Sequence, residues 1–157
     1  MKFKIAIILL LIPAVTYNMQ QPGQTNAKSL VGAIHTNNTA QVKQILEANP
    51  NAVNPDTSMP IAPLREAALG GNTDIITLLL DAGSPVDPAD SYDITPLMMA
   101  SLNGQIDAAK LLISRGANVN AKDKSNQSVL HYVQFGGATN AAQKAELTRI
   151  LHEAGAK

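Results

Sequence analysis

Residues 94–120 read ITPLMMASLNGQIDAAKLLISRGANVN and contain two short helical patterns separated by a glycine. Thr95 can cap the first pattern with its hydroxyl, and Pro96 suits the first helical position, where a missing N–H costs nothing. Gly104 and Gly116 follow the two patterns at the places where a helix usually ends in a left-handed residue. The stretch therefore predicts a helix-turn-helix unit followed by an extended segment.

The same unit recurs at an interval of 33 residues. Leu64, Leu97 and Leu130 are evenly spaced, and glycines keep the same spacing at positions 71, 104 and 137. A period of this length is typical of stacked copies of one small unit, none of which can bury its apolar face alone. The repeat therefore favours an extended surface over a pocket as the functional site.

These residues resemble the ankyrin repeat. Thr95-Pro96-Leu97 matches the start of its TPLH motif, and residues 116–120 (GANVN) match its exit sequence. The resemblance covers residues 29–157 and implies an all-α solenoid of about four helix-turn-helix repeats with extended β-turn loops. The expected copies span residues 29–56, 61–93, 94–126 and 127–157.

Three departures from the repeat pattern carry structural predictions. Asn37 stands where the other copies have glycine, and asparagine tolerates a left-handed turn. Ala62 replaces the capping threonine of the second copy, which costs on the order of 1 kcal/mol. The last copy contains an insert between Thr139 and Glu146 that is rich in helix-forming residues. The insert predicts a longer second helix in that copy, extended at its start.

The first 16 residues have the layout of a secretory signal peptide. Lys2 and Lys4 precede an apolar run from Ile5 to Ile12, and small residues follow. As a helix, residues 5–15 span about half of a bilayer's hydrocarbon core, so we expect no stable membrane anchor. A buried N-terminal helix and a retained anchor are the alternatives. We predict a signal peptide at residues 1–16, a flexible polar leader at residues 17–28, and export to the periplasm or beyond the cell, with a bacterial context favoured.

The composition argues against several classes of function. Twelve basic and 12 acidic residues balance, and no basic cluster favours nucleic acid. The chain has no cysteine, and its three histidines lie in three different copies without a zinc-binding spacing. The aspartate-rich loop from Asp87 to Asp93 lacks the glycine and distal glutamate of an EF-hand. We therefore expect no enzymatic activity, no cofactor and no bound metal.

The resemblance implies that partners bind along a concave side, which ankyrin repeats form from their first helices and short loops. Three kinds of position are candidates: the residue after the alanine pair of each first helix, the loop tips, and a position near the groove in each first helix. They are, in that order, Leu69, Leu102 and Phe135; Met59, Tyr92 and Ser125; and Arg65, Met98 and His131. The first set would form an apolar ridge, and such stripes often mark interfaces. The alternative is that these side chains are half-buried packing over the helices.

The sequence thus predicts a monomeric, exported scaffold that binds an unidentified protein partner. Two other functions stay open: an accessory or protective factor for an exported enzyme, and a self-associating structural module. Fold alone names no partner, because ankyrin scaffolds share no common ligand.

Overall fold

A computed structural model of the protein describes residues 26–53, 62–88, 91–136 and 140–157. The predicted signal peptide lies outside the described residues. Within them the chain forms eight α-helices, and a short 3-10 helix, Pro50–Val53, follows the second. The α-helices are α1 Asn26–His35, α2 Thr39–Ala48, α3 Pro63–Gly70, α4 Thr73–Asp81, α5 Pro96–Leu102, α6 Ile106–Ser114, α7 Val129–Phe135 and α8 Ala141–Glu153.

The helices form two layers. The first helices of successive repeats stack in the order α1, α3, α5 and α7, and the second helices stack in the order α2, α4, α6 and α8. Each first helix also packs on the second helix of its own repeat. The prediction of an all-α solenoid built from helix-turn-helix repeats is confirmed. The start of the domain differs, because α1 begins at Asn26 and so includes the last three residues of the predicted leader.

Side-chain caps fix where most of the helices begin. The Thr95 hydroxyl accepts a hydrogen bond from the Met98 amide at 3.3 Å, and Pro96 occupies the first turn of α5. Asn72 caps α4 in the same manner through the Ile75 amide. Ala62 provides no side-chain cap for α3, as expected from its sequence. The side-chain caps therefore define the residues at which these helices begin.

The turns between paired helices use left-handed residues. Gly71 and Gly104 have φ angles of 77° and 69°, and Asn37 reaches 54° at the corresponding place in the first repeat. A Cβ at Gly71 would also overlap the Gln105 side chain of the next repeat. The turn residues therefore serve both the chain reversal and the close approach of neighbouring repeats.

The insert in the last repeat is helical from Ala141 onward. Helix α8 has 13 residues, whereas α4 and α6 have nine each. Asn140 caps it by accepting from the Gln143 amide at 2.9 Å. The Gln143 side chain then donates to the Gly104 carbonyl oxygen of the preceding repeat at 3.4 Å. The prediction that this helix is extended at its start is confirmed.

The core is aliphatic and runs between the two layers. Leu64, Leu97 and Leu112 are fully buried, and small residues such as Ala68 and Ala100 let the layers approach closely. The C-terminal end is polar, because Arg149 of α8 pairs with the carboxylates of Glu146 and Glu153. Hydrogen bonding with Arg149 lowers the pKa of Glu146.

One polar side chain in this core lacks a partner. Among the described residues the Ser101 hydroxyl of α5 is buried and makes no hydrogen bond, while the equivalent residue of α3 is Ala68. We expect Ser101→Ala to stabilise the fold by about 1 kcal/mol, because it removes an unpaired buried hydroxyl and raises helix propensity. Urea unfolding followed by circular dichroism measures the change. An unchanged or lower free energy of unfolding would show that the hydroxyl is satisfied in solution.

Candidate functional site

The first helices carry Leu69, Leu102 and Phe135, the three residues of the predicted apolar ridge. Each residue lies at the C-terminal end of its first helix, α3, α5 or α7. Leu69 and Leu102 are half-buried, whereas the Phe135 side chain is 74% exposed. The structure therefore brings the three predicted ridge residues to equivalent places in successive repeats.

Hydrogen bonds between repeats hold the ridge in place. The Leu69 carbonyl oxygen accepts from Asn103 Nδ2 at 3.1 Å and from Gln105 Nε2 at 3.3 Å. The backbone of Leu102 lies close against Gly136, where an added Cβ would come within 2.2 Å of the Leu102 oxygen. The spacing of the ridge is therefore fixed by backbone contacts and not by the ridge side chains themselves.

Phe135 is supported from one side by another aromatic ring. The His131 ring lies one turn earlier on α7, and its centroid is 4.4 Å from that of Phe135. The His131 ring also meets Tyr132 edge-on at 6.4 Å. Packing between rings restricts the rotamers of Phe135 while leaving most of its surface in water.

Tyr92 is the second large apolar side chain that faces solvent, with 64% of its surface exposed. It lies in the loop that leads into α5, next to Asp93, whose backbone is left-handed with a φ of 58°. The Tyr92 carbonyl oxygen accepts from the Lys124 amide of the following loop at 3.0 Å. The loop tips are therefore tied to each other, as the ridge positions are.

A comparison with family models supplies the classification. The model described as ankyrin repeats (3 copies) matches residues 30–123, which is more than half of the chain. The chain belongs to the ankyrin-repeat family. Helices α7 and α8 follow the matched region and add a fourth pair to the stack. A search of curated proteins finds no match to the chain.

Ankyrin repeats generally mediate protein–protein interaction, and proteins built from them are typically binding scaffolds without enzymatic activity. No group of three or more histidine, cysteine or acidic residues in the described ranges could hold a metal ion. No helix among the same residues is long and apolar enough to cross a bilayer. In the acidic loop, Asp87 Oδ2 accepts from the Asn118 amide at 2.8 Å, so this carboxylate joins two loops of the ankyrin stack.

The structure corrects one of the predicted binding residues. Met98 is fully buried in α5, and its sulfur lies 3.4 Å from the Thr95 nitrogen. The side chain turns back over the start of its own helix and packs into the core, so it cannot line the groove. Arg65, at the equivalent position of α3, is half-buried. Met59 lies outside the described residues.

Sequence reasoning missed the role of Asp123 in the loop between α6 and α7 of this ankyrin protein. Its carboxylate accepts from the amides of Ser125 and Gln127 at 2.9 and 2.8 Å and from the Tyr132 hydroxyl at 2.8 Å. These bonds close the turn beside an antiparallel bridge between Lys122 and Ser128. An aspartate followed by small polar residues is a turn signal that could have indicated this role.

We expect the Asp123 carboxylate to make the loop between α6 and α7 sensitive to acid. The hydrogen bond from the Gln127 amide, more than those from Tyr132 and Ser125, holds the pKa of Asp123 below its ordinary value of 3.8. A lowered pKa contributes stability that is present above the unfolded value and is lost as pH falls through the folded value. We expect wild type to be more stable than Asp123→Asn at pH 7, and the difference to vanish well below pH 3.8.

The measurement is urea unfolding of both proteins from pH 7 down to about pH 2.5, which lies about one pH unit below the ordinary pKa of an aspartate. A difference in unfolding free energy that stays constant over this range would show that the charge of Asp123 does not stabilise the loop.

Proposed function

We propose that this ankyrin-repeat protein is exported and binds another protein through the ridge of Leu69, Leu102 and Phe135 together with the loop tip at Tyr92. The observation that carries the proposal is the exposure of Phe135 and Tyr92. The described residues include three phenylalanine and tyrosine side chains, Tyr92, Tyr132 and Phe135, and two of these three face solvent. Exposed aromatic side chains on a rigid frame are common anchors of protein interfaces.

Rigidity favours this surface as a binding site. The hydrogen bonds from Asn103 and Gln105 and the His131 ring leave the ridge largely preorganised, so binding orders few additional groups. Preorganisation raises affinity because less conformational entropy is lost on association. A monomer agrees with the polar surface of α8, where the Arg149 ion pairs would meet water at the end of the stack.

Export is supported by the sequence alone, through Lys2, Lys4 and the apolar run that follows them. An accessory factor for an exported enzyme would use the same ridge, with the enzyme as its partner. A self-associating module would need an apolar surface that is complementary to itself. Sedimentation of the purified protein separates this alternative, because the proposal requires a monomer.

The test is capture from the source cells. The full-length chain is expressed there with a C-terminal tag, and bound proteins are identified by mass spectrometry from the exported fraction. We expect a protein that is recovered with wild type and lost with the Tyr92→Ser/Phe135→Ser variant. Recovery of the tagged chain only in the cytoplasm would contradict export, and equal capture by both chains would contradict the binding surface.

A further inference from the structure

The second-helix layer contains a groove that the proposed function does not use. It lies between the C-terminal halves of α2 and α4, is open to solvent, and has a volume of about 410 Å³. Ligand pockets commonly span about 300–1,000 Å³. The groove is lined by Lys43, Leu46, Glu47, Pro50, Leu78, Asp81 and Ala82.

Between the second and third repeats, an arginine occupies the place that corresponds to this groove. Arg115, at the end of α6, reaches back to α4, and its Nη1 donates to Asp81 Oδ1 at 2.9 Å. The helices α2, α4 and α6 can be aligned by their first residues. Glu47 of α2 then corresponds to Asp81 of α4, and Ala82 at the end of α4 corresponds to Arg115 at the end of α6. The groove therefore lies where an arginine would bridge the two helices, and alanine leaves it open.

Two charged side chains of α2 line the groove, the cation Lys43 and the hydrogen-bond acceptor Glu47. Glu47 is exposed, and its ion pair with Lys43 is long at 3.9 Å, with both side chains about two-thirds exposed. Such a pair contributes little and yields readily to a better one. The nearby Asp81 carboxylate already binds Arg115. Glu47 is thus the acceptor that the groove offers to an incoming donor.

The floor of the groove suits the aliphatic part of the same side chain. Leu46 is 7% exposed and Leu78 is half-buried, and Pro50 and Ala82 complete an apolar wall. An arginine stem packs along apolar surface while its charged end stays at the rim. Its planar group can also bind a carboxylate through two parallel hydrogen bonds, which lysine cannot do.

We propose that this groove is a second binding site, which takes an arginine side chain from a partner protein. The stem lies over Leu46 and Leu78, and the guanidinium group pairs with Glu47 as Arg115 pairs with Asp81. The site belongs to the second-helix layer and does not depend on the ridge of Leu69, Leu102 and Phe135. Loss of one site leaves the other intact.

The test uses the capped peptide acetyl-Gly-Arg-Gly-amide and its citrulline counterpart, titrated into the full-length protein and followed by amide NMR. We expect saturable shifts centred on Leu46, Glu47 and Leu78, with the citrulline peptide about threefold to fivefold weaker because it lacks the charge. Glu47→Gln should weaken the arginine peptide by a similar factor. No saturable shift at these amides, or equal binding of the two peptides, would overturn the proposal.

A second variant fills the groove from within the chain. Ala82→Arg places the side chain where the next repeat carries Arg115, at the end of a helix where a positive charge is favourable. We expect it to fold, to pair with Glu47 and to abolish the peptide shifts. Ala154→Arg makes the same change at the exposed residue that follows α8, outside the groove, and should leave the shifts unchanged. Undiminished peptide binding by Ala82→Arg would also overturn the proposal.

Discussion

Gly136→Ala is expected to destabilise the protein by about 3 kcal/mol. A Cβ at this buried position would lie 2.2 Å from the Leu102 oxygen and 3.0 Å from both the Leu102 carbonyl carbon and the Tyr132 oxygen. All three are backbone atoms, so no change of rotamer relieves the overlap. The strain falls on the contact between α5 and α7, and the fourth repeat should separate from the third before the rest unfolds.

Gly32→Ala is the matched control for this substitution. Gly32 lies within α1, and an added Cβ there meets no atom within 4 Å. Alanine should therefore stabilise the fold by about 0.5–1 kcal/mol through its helix propensity. Urea unfolding followed by circular dichroism compares both variants with wild type. A Gly136→Ala protein as stable as wild type would contradict the close stacking of the last two repeats.

Phe135→Glu is expected to weaken partner binding by about 100-fold or more while leaving the fold intact. Aromatic anchors at the centre of an interface contribute about 2 kcal/mol or more, and a buried unpaired carboxylate adds a desolvation penalty. The free protein should tolerate the change, because Phe135 is 74% exposed and contributes little buried area. We expect the free energy of unfolding to change by no more than about 0.5 kcal/mol.

Gln134→Glu controls for the added charge. Gln134 is exposed, precedes Phe135 on α7 and experiences the same helix terminus, so both variants carry a similar electrostatic cost. Affinity is measured by calorimetry with the captured partner. If Gln134→Glu weakened binding as much as Phe135→Glu, the loss would be due to the added charge. If Phe135→Glu unfolded the protein, Phe135 would be a core residue and not a binding residue.

The sequence predicted the scaffold well because its signals are local and repeated. Thr95, Pro96 and Gly104 each determine the conformation of the backbone next to them, and the same signals recur at an interval of 33 residues. The same reasoning anticipated the left-handed Asn37 and the extension of α8. Local chemistry of this kind needs no knowledge of what lies across the fold.

The surface was harder to predict because exposure depends on neighbours that are distant in sequence. Arg65 and Met98 occupy equivalent positions, yet Met98 is fully buried and Arg65 only half-buried. A flexible thioether fits the core, whereas a guanidinium group must reach water. The groove beside Glu47 was hard to predict for the same reason, because it depends on Ala82 of α4 facing the preceding repeat.

The most direct test of the binding surface is photo-crosslinking in the source cells. A photoreactive phenylalanine analogue replaces Phe135 in one full-length chain and the exposed Ser114 of α6 in another. We predict a discrete covalent adduct with one other protein from position 135 and none from position 114. Adducts at position 114 alone, or no adduct at position 135 under any growth condition in which the chain is made, would contradict binding through the first-helix ridge.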